Sequence, residues 1–150
     1  MNAANKSRGQ AAVEFALAMP ALLLIVFGIV DFGRAVWAYN SVAYLARDGA
    51  RYGTVPSHGT SAIQTYAAGR CTTMLTDTCG FTAPPAANAA AISVTRGTCG
   101  STAAPVVITV SFEFQAATPM IANLWGGGTL PLQATSQMYV EAAPPGGCAA

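Results

Sequence analysis

The sequence contains few charged residues. Only 9% of its 150 residues are charged and 53% are hydrophobic, whereas about a quarter of the residues of a soluble domain are usually charged. The net charge is +1, and beyond Lys6 and Arg8 the basic residues occur singly along the chain. Because there is no basic patch, the sequence offers no electrostatic basis for a nucleic-acid partner.

Metal-binding patterns are scarce as well. The chain has one histidine, His58, and no two of its four cysteines have Cys-x-x-Cys spacing, so neither a metal site nor another cofactor is predicted. The cysteines all follow the long apolar segment described below, and we predict that they form disulfides. Four cysteines permit three pairings, among which the sequence does not choose. The pairing that we consider first joins Cys71 to Cys79 and Cys99 to Cys148.

Catalytic signatures are also weak. Ser57 and His58 are adjacent, but no acid is evidently paired with them, which favours a solvated loop. The glycines at 126–128 lack the lysine of a phosphate-binding loop and precede a strand, which favours a turn. Cys99, in Gly-Thr-Cys-Gly, suits a disulfide better than a nucleophile. The sequence therefore predicts a protein that is not an enzyme.

What the chain does have is one long apolar run, from Gly9 to Val30. A helix over residues 10–30 would be about 31 Å long, close to the ~30 Å hydrocarbon core of a bilayer. Lys6 and Arg8 precede the run, which predicts a cytoplasmic N-terminus and a C-terminal domain on the far side of the membrane. No Ala-x-Ala site follows the run, so we expect the helix to be retained as a single-pass anchor in lipid.

Glu14 is the one acid inside this run. A charge at the bilayer centre costs about 2.5–3.5 kcal/mol or more, so a carboxylate there needs an explanation. If the chain is cut after Gly9, residues 1–9 are a leader and Gln10 carries a new α-amino group, which is mostly cationic near pH 7. That amine, one helical turn from Glu14 or in a neighbouring subunit, would compensate its charge. The alternative is that Glu14 lies in the headgroup layer without a role.

Other residues of the run suggest how this helix packs. Pro20 removes a backbone hydrogen bond and crowds the carbonyl of Ala16, which predicts a modest kink. Gly28 would allow the close approach of another helix. Asp31 and Arg34 have the spacing of an ion pair, which we expect to cap the membrane boundary or to bind a partner helix.

The helix is predicted to continue past the membrane as a projecting rod, residues 31–53, which ends at Gly53 before Val55-Pro56. Asp48 and Arg51 have the spacing of a second ion pair. One apolar stripe follows helical periodicity and is predicted to cover a sheet. Its members are Phe32, Val36, Tyr39, Ala43, Ala46 and Ala50.

Residues 54–143 are predicted to form an α+β domain, followed by a flexible tail at 144–150. A short helix is expected at 62–75, with Ser61 and Gln64 in capping-box spacing, and a loop at 76–90. Alternating apolar and polar residues predict a roughly three-stranded antiparallel sheet. Its strands are expected at 91–96, 106–115 and 130–141, with one helical turn at 120–125.

The N-terminal third resembles a known family. Gly9-Gln10-Ala11-Ala12-Val13-Glu14-Phe15 looks like the prepilin-peptidase site of type IV-pilin-like proteins. The run RGQAAVEFALAMPALLLIVFGIVDFGRAVW, followed by ARDGARYG at 46–53, is similar to the TadE-like pseudopilins of the tight-adherence (Flp) pilus system. Major pilins of the family commonly have tyrosine after the glutamate, so Phe15 is more like the minor members.

The resemblance implies a pilin-like fold and a role in a pilus. It implies a membrane-held minor pilin, matured by a prepilin peptidase after Gly9, which helps to assemble or anchor Flp-type pili with other pilins and the assembly machinery. The cysteines are not part of the motif. The alternative is a single-pass anchored binding or adhesion module that is not processed.

Overall fold

A single helix, α1, spans Ala3–Tyr52. The structure is a computed structural model that describes residues 3–76, 79–81, 87–97, 105–124 and 128–140, without the side chains of residues 3–8, 120, 121 and 124. With 50 residues, α1 is about 75 Å long at ~1.5 Å per residue. It continues through Pro20, so the predicted membrane helix and its projecting extension are one element.

The end of α1 is closed by local hydrogen bonds. The N–H of Gly53 donates to the carbonyl of Gly49 at 3.0 Å, and the N–H of Thr54 donates to that of Arg51 at 3.2 Å. The Thr54 hydroxyl also donates to the Arg51 carbonyl, at 2.8 Å. These bonds satisfy carbonyls that the last helical turn leaves without a partner, at the position where the sequence predicted the end.

Four strands form one sheet in the order β1-β2-β3-β4. Strands β2, β3 and β4 are antiparallel neighbours, and β1 pairs with β2 in parallel. The three predicted strands are therefore present, but the predicted loop at 76–90 contains a fourth, which two residues are too few to reveal by alternation. The strands are β1 (Cys79–Gly80), β2 (Ala90–Arg96), β3 (Pro105–Phe114) and β4 (Leu130–Tyr139).

Two short helices complete the domain: α2, Thr60–Met74, and α3, Pro119–Leu124. The prediction that Ser61 and Gln64 form a capping box is wrong. Gly59 is the N-cap residue and makes no side-chain cap bond. Ser61 already lies within the helix, where its carbonyl accepts the Thr65 hydroxyl at 2.9 Å.

The core lies between α1, α2 and one face of the sheet. Alternate residues of β3 from Val106 to Phe114 are buried, as predicted, and Ile63 and Ala67 of α2 join them. The predicted stripe on α1 is only partly right, because Phe32, Val36 and Tyr39 are exposed. An apolar helix has no distinct polar face from which its buried side can be inferred. The buried apolar residues of α1 are Ala38, Val42, Leu45, Ala46 and Ala50.

Two glycines let α1 approach its neighbours closely. A Cβ at Gly49 would lie 2.9 Å from Ile108, and one at Gly53 would lie 2.8 Å from Val106 and 3.0 Å from Ile63. Both glycines belong to the ARDGARYG motif at 46–53. The motif therefore places small residues where α1 crosses β3 and α2.

Candidate functional site

The predicted processing segment lies on the free N-terminal half of α1. Gln10, Glu14 and Phe15 are exposed, and a Cβ at Gly9 would meet nothing within 4 Å. Gln10 Nε2 donates to Glu14 Oε1 at 3.3 Å, across one helical turn. The residues of the proposed site are therefore accessible and adjacent, on a part of the helix that the folded domain does not cover.

This half of α1 is long and apolar enough to cross a membrane, by length and composition. Except for the half-buried Met19, its large apolar side chains from Val13 to Val30 are exposed. Pro20 is also exposed, whereas Gly28 is half-buried. An exposed apolar surface of this extent is suited to lipid or to other apolar helices.

Asp31 marks the point where α1 meets the folded domain. Its side chain is only 4% exposed. Oδ1 accepts the N–H of Ala117 at 3.1 Å and Arg34 Nη1 at 3.0 Å, and Oδ2 accepts the N–H of Thr118 at 3.0 Å. The predicted Asp31–Arg34 pair is present, but the carboxylate also binds the two residues that directly precede α3. We refer to Asp31, Arg34, Ala117 and Thr118 as the junction cluster.

The junction cluster favours the ionised form of Asp31. Burial raises the pKa of this carboxyl, but the bonds from Thr118, the Ala117 N–H and Arg34 together outweigh burial and hold the pKa below its ordinary value of 3.8. The Arg34 guanidinium also lies over the Phe114 ring, 5.5 Å from its centroid. The cluster thus ties α1 both to α3 and to the end of β3.

Ala117 and Thr118 were not predicted as partners of Asp31. They directly precede α3, and a Thr before a Pro, as in Thr118-Pro119, is a recognisable helix start with free N–H groups. The sequence therefore shows that these donors need an acceptor. It does not show that the acceptor lies 86 residues earlier in the chain.

Asp48 binds α2 and not its neighbour on α1. Asp48 Oδ2 accepts Arg70 Nε at 3.1 Å and the Tyr66 hydroxyl at 3.0 Å, so the predicted Asp48–Arg51 pair is wrong. Burial, followed by the bond to Asp48, raises the pKa of Tyr66. Two side chains of α2 bind the half-buried Asp48, whereas Arg51 remains exposed at the helix surface.

His58 takes part in packing. Its ring stacks on Tyr52 with centroids 4.0 Å apart, and Tyr52 stacks in turn on Tyr66 at 4.1 Å. Nδ1 of His58 lies 2.8 Å from the carbonyl oxygen of Tyr52, and Arg96 donates to the carbonyls of His58 and Pro56. This geometry holds the 54–59 loop against the end of α1, and Ser57 is exposed.

A disulfide joins Cys71 of α2 to Cys79 of β1, as in the pairing considered first. Cys71 is fully buried, and its Cα lies 6.2 Å from that of Cys79. The bond fixes β1 to the end of α2. Cys99 and Cys148 lie outside the described residues.

The described part of the chain has no group of His, Cys, Asp and Glu side chains that could hold a metal ion. A cleft of about 280 Å³ lies between α1 and the sheet, and its walls include Arg34, Trp37, Asn88 and Phe114. No carboxylate, cysteine or histidine is among the described residues that form its walls.

Comparison with known proteins agrees with the sequence motifs. Residues 9–51 match the model of a family described as TadE-like protein. No curated protein and no solved structure matches the chain. The matched segment covers the exposed apolar half of α1, the Asp31–Arg34 pair and most of the glycine-containing motif. Residues 9–51 are therefore similar to the TadE-like family, and this segment contains the candidate membrane helix.

Proposed function

We propose that this protein is a membrane-anchored minor pilin that takes part in assembling or anchoring tight-adherence pili. The observation that carries the proposal is the TadE-like match over residues 9–51, which starts at the glycine where the sequence predicts cleavage. The exposed apolar half of α1 supports it, because this surface needs lipid or apolar partners.

Maturation by a prepilin peptidase after Gly9 belongs to the same proposal. Glycine weakens a helix by roughly 1 kcal/mol relative to alanine, which lowers the cost of opening α1 at the cut. Nothing packs within 4 Å of a Cβ at Gly9, so the backbone is accessible. After the cut, the Gln10 amine lies about 6 Å along the helix axis from Glu14 and can pair with it, or with Glu14 of a neighbouring pilin.

The proposed orientation places the sheet domain in the periplasm and the leader in the cytoplasm. Lys6 and Arg8 favour a cytoplasmic N-terminus. The Cys71–Cys79 disulfide supports an oxidising compartment for the domain, because cytosolic thiols are usually kept reduced. Proteolysis of intact spheroplasts is expected to remove the sheet domain and to spare the residues before Gly9 in the uncut precursor.

The decisive measurement is the N-terminus of the protein purified from cells that contain a prepilin peptidase. Intact mass and N-terminal peptides are expected to begin at Gln10, and cells lacking the peptidase are expected to yield the longer form. If the leader is present in both strains, the protein is not a processed pilin, and the unprocessed anchored binding module is the better description.

A further inference from the structure

In the part of the chain that the structure describes, strand β4 is the last strand on its side of the sheet. At the two ends of β2, the N–H of Gly97 donates to the Pro105 carbonyl at 2.8 Å, and the N–H of Glu113 donates to the Ala89 carbonyl at 3.2 Å. The odd-numbered residues of β3 therefore direct their backbone groups toward β2. Since backbone groups alternate sides along a strand, the even-numbered residues direct theirs toward β4.

The pairing register between β3 and β4 shows which backbone groups of β4 face β3. Ile108 faces Ser136 and Val110 faces Ala134, so even-numbered residues of β4 bond with β3. The odd-numbered residues direct their N–H and C=O groups away from the sheet, and among the described residues their backbone groups have no partner. These outward residues are Pro131, Gln133, Thr135, Gln137 and Tyr139. Pro131 fits this position because it has no N–H to donate.

This edge has little of the protection that exposed strands usually carry. Proteins block free edges with charged residues, bulges, short strands or prolines. Leu130–Tyr139 has 10 residues and no charged side chain, and its register with β3 continues without a bulge. The single proline, Pro131, lies near the start of the strand. A long uncharged edge of this kind is a template for another strand.

An uncovered apolar face of α1 lies beside the same edge. Asp48 binds α2, which packs on the β2 side of the sheet. Tyr39 is nine positions before Asp48, which places it about 180° around the helix at ~100° per residue. Because α1 also packs on β3 and β4, Tyr39 lies on the β4 side. Phe32 lies at nearly the same angle around the helix. Phe32 is 71% exposed and Tyr39 is 51% exposed.

We propose that the outer edge of β4 binds an extended strand of a second protein, in which apolar side chains alternate with uncharged polar ones. The backbone of that strand would pair with the outward groups of Gln133, Thr135 and Gln137. Its apolar side chains would lie on the helix side of the sheet and cover Phe32 and Tyr39. The free backbone edge and the exposed helix face thus specify the same occupant.

A second copy of this chain fits the edge less well. Gly53 lies beside Val106 at the start of β3 and Arg34 beside Phe114 at its end, so α1 and β4 run in the same direction. Antiparallel pairing of two β4 strands requires a two-fold axis perpendicular to them, which would reverse one α1. Two copies held in one bilayer by the proposed anchor point the same way, which excludes this pairing. Parallel pairing about an axis along the strands keeps both helices aligned, but it turns the polar face of the second β4, with Gln133, Thr135 and Gln137, toward the apolar face of the first α1. This exclusion depends on the proposed function, but the free edge does not.

The segment after β4 is also a poor occupant. Residues 141–150 include Pro144, Pro145, Gly146 and Gly147. Prolines lack the N–H that pairing needs, and glycines disfavour strands. The proposal therefore assigns the edge to another protein.

Amide hydrogen exchange of the full chain in lipid nanodiscs tests whether the edge is free. The amides of Gln133, Thr135 and Gln137 are expected to exchange at least about tenfold faster than those of Ala134 and Ser136, whose N–H groups bond to β3. Equal protection of both sets would show that a part of this chain already covers the edge. That result would overturn the proposal and leave the pilin assignment intact.

Binding is tested with a synthetic peptide of about ten residues that alternates valine with threonine. Thr135→Pro removes one outward N–H, and Thr135→Val is the matched control that keeps it. We expect the peptide to bind the unmodified chain and the control, and to bind the proline variant about tenfold more weakly. Absence of binding to the unmodified chain, or equal binding to all three, would contradict the proposal.

A second variant tests the proposal independently, in case the proline variant does not fold. Gln133→Lys leaves the backbone unchanged and places a charge on the edge. It is expected to weaken binding of the uncharged peptide, and a peptide with glutamate at the facing position is expected to restore it. Tyr39→Ser should weaken binding several-fold, whereas Val55→Ser, at a similarly exposed position beyond the end of α1, should not. No difference among these variants would count against the docking geometry.

Discussion

Asp31 links the exposed apolar half of α1 to the folded domain through a single carboxylate. Three groups donate to its two oxygens while the side chain is almost fully buried. A buried carboxylate with several donors is stabilising only while it is ionised. The stability of the end of the domain that contacts Asp31 is therefore predicted to depend on the charge of this residue.

The variant Asp31→Asn tests that dependence. It keeps the shape but replaces one acceptor oxygen with a donor, and is expected to lower the free energy of unfolding by about 1–3 kcal/mol near pH 7. The folded-state pKa of Asp31 is lowered, so its contribution is present above the ordinary value and is lost as pH falls through the folded value, below about pH 4. Denaturant unfolding in detergent measures both effects.

The control for Asp31→Asn is Arg47→Gln, a change at an exposed position of the same helix. It is expected to leave the unfolding free energy within about 0.5 kcal/mol. If Asp31→Asn and the unmodified protein lose stability equally as the solution is acidified from pH 5 to about pH 3, Asp31 is not the titrating group at the junction.

Glu14 is expected to act in assembly and not in folding. It is exposed and lies outside the core, so Glu14→Ala should leave cleavage, membrane insertion and domain stability unchanged. Loss of the carboxylate leaves the Gln10 amine without its partner, and we expect at least a several-fold loss of co-purifying pilins. Gln10→Ala keeps the backbone amine and is the matched control. Normal partner recovery with Glu14→Ala would argue against charge pairing.

Helix α1 crosses its neighbours at glycines, and this contact can be tested in both directions. Gly53→Ala brings a Cβ to 2.8 Å from Val106 and 3.0 Å from Ile63, so it is expected to destabilise the domain by about 1–3 kcal/mol. Gly69→Ala adds a Cβ within α2 with nothing inside 4 Å, and should stabilise by about 0.5–1 kcal/mol. Thermal unfolding of both variants measures the contrast, and stabilisation by both would refute the close approach.

The disulfide between α2 and β1 is predicted to stabilise the domain through its short loop. Cys71 and Cys79 are separated by 8 positions, for which chain entropy suggests about 2–3 kcal/mol. The double change Cys71→Ser and Cys79→Ser should lower the unfolding free energy by that amount. Adding reductant to the unmodified protein should give at least this loss, because it also reduces the Cys99–Cys148 bond predicted below. No loss from either change would show that the Cys71–Cys79 bond does not stabilise the fold.

The sheet topology also supports a pairing between the remaining cysteines, Cys99 and Cys148. Arg96 faces Val106, and Val106 faces Met138, so the chain leaves β2 and β4 at the same end of the sheet. Cys99 follows Arg96 by three positions and Cys148 follows Met138 by ten. At about 3.3 Å per residue, the tail can reach across two strand spacings of about 4.8 Å each. Peptide mapping without reductant is expected to find Cys99–Cys148, and two free thiols would disprove this pairing.

Local patterns were enough to predict the elements. The apolar run, the Gly53 stop and the period-two alternation in β3 and β4 act within a few residues of chain, so α1 and the three main strands could be inferred from sequence. The Asp31–Arg34 bond spans one helical turn and was predicted for the same reason. The TadE-like motifs depend only on residue order, and they too were visible without a structure.

Contacts between distant parts of the chain had no such local signal. How the helices lie on the sheet determines which amides bind Asp31 and which side of α1 is buried. It also determines that Asp48 binds Arg70 and not Arg51. The unpaired edge of β4 depends on which strand ends the sheet and which backbone groups β3 already occupies. Residue patterns show which side chains a segment must bury and which polar groups it must pair. Only the packing of the complete fold determines which other segment supplies the partner.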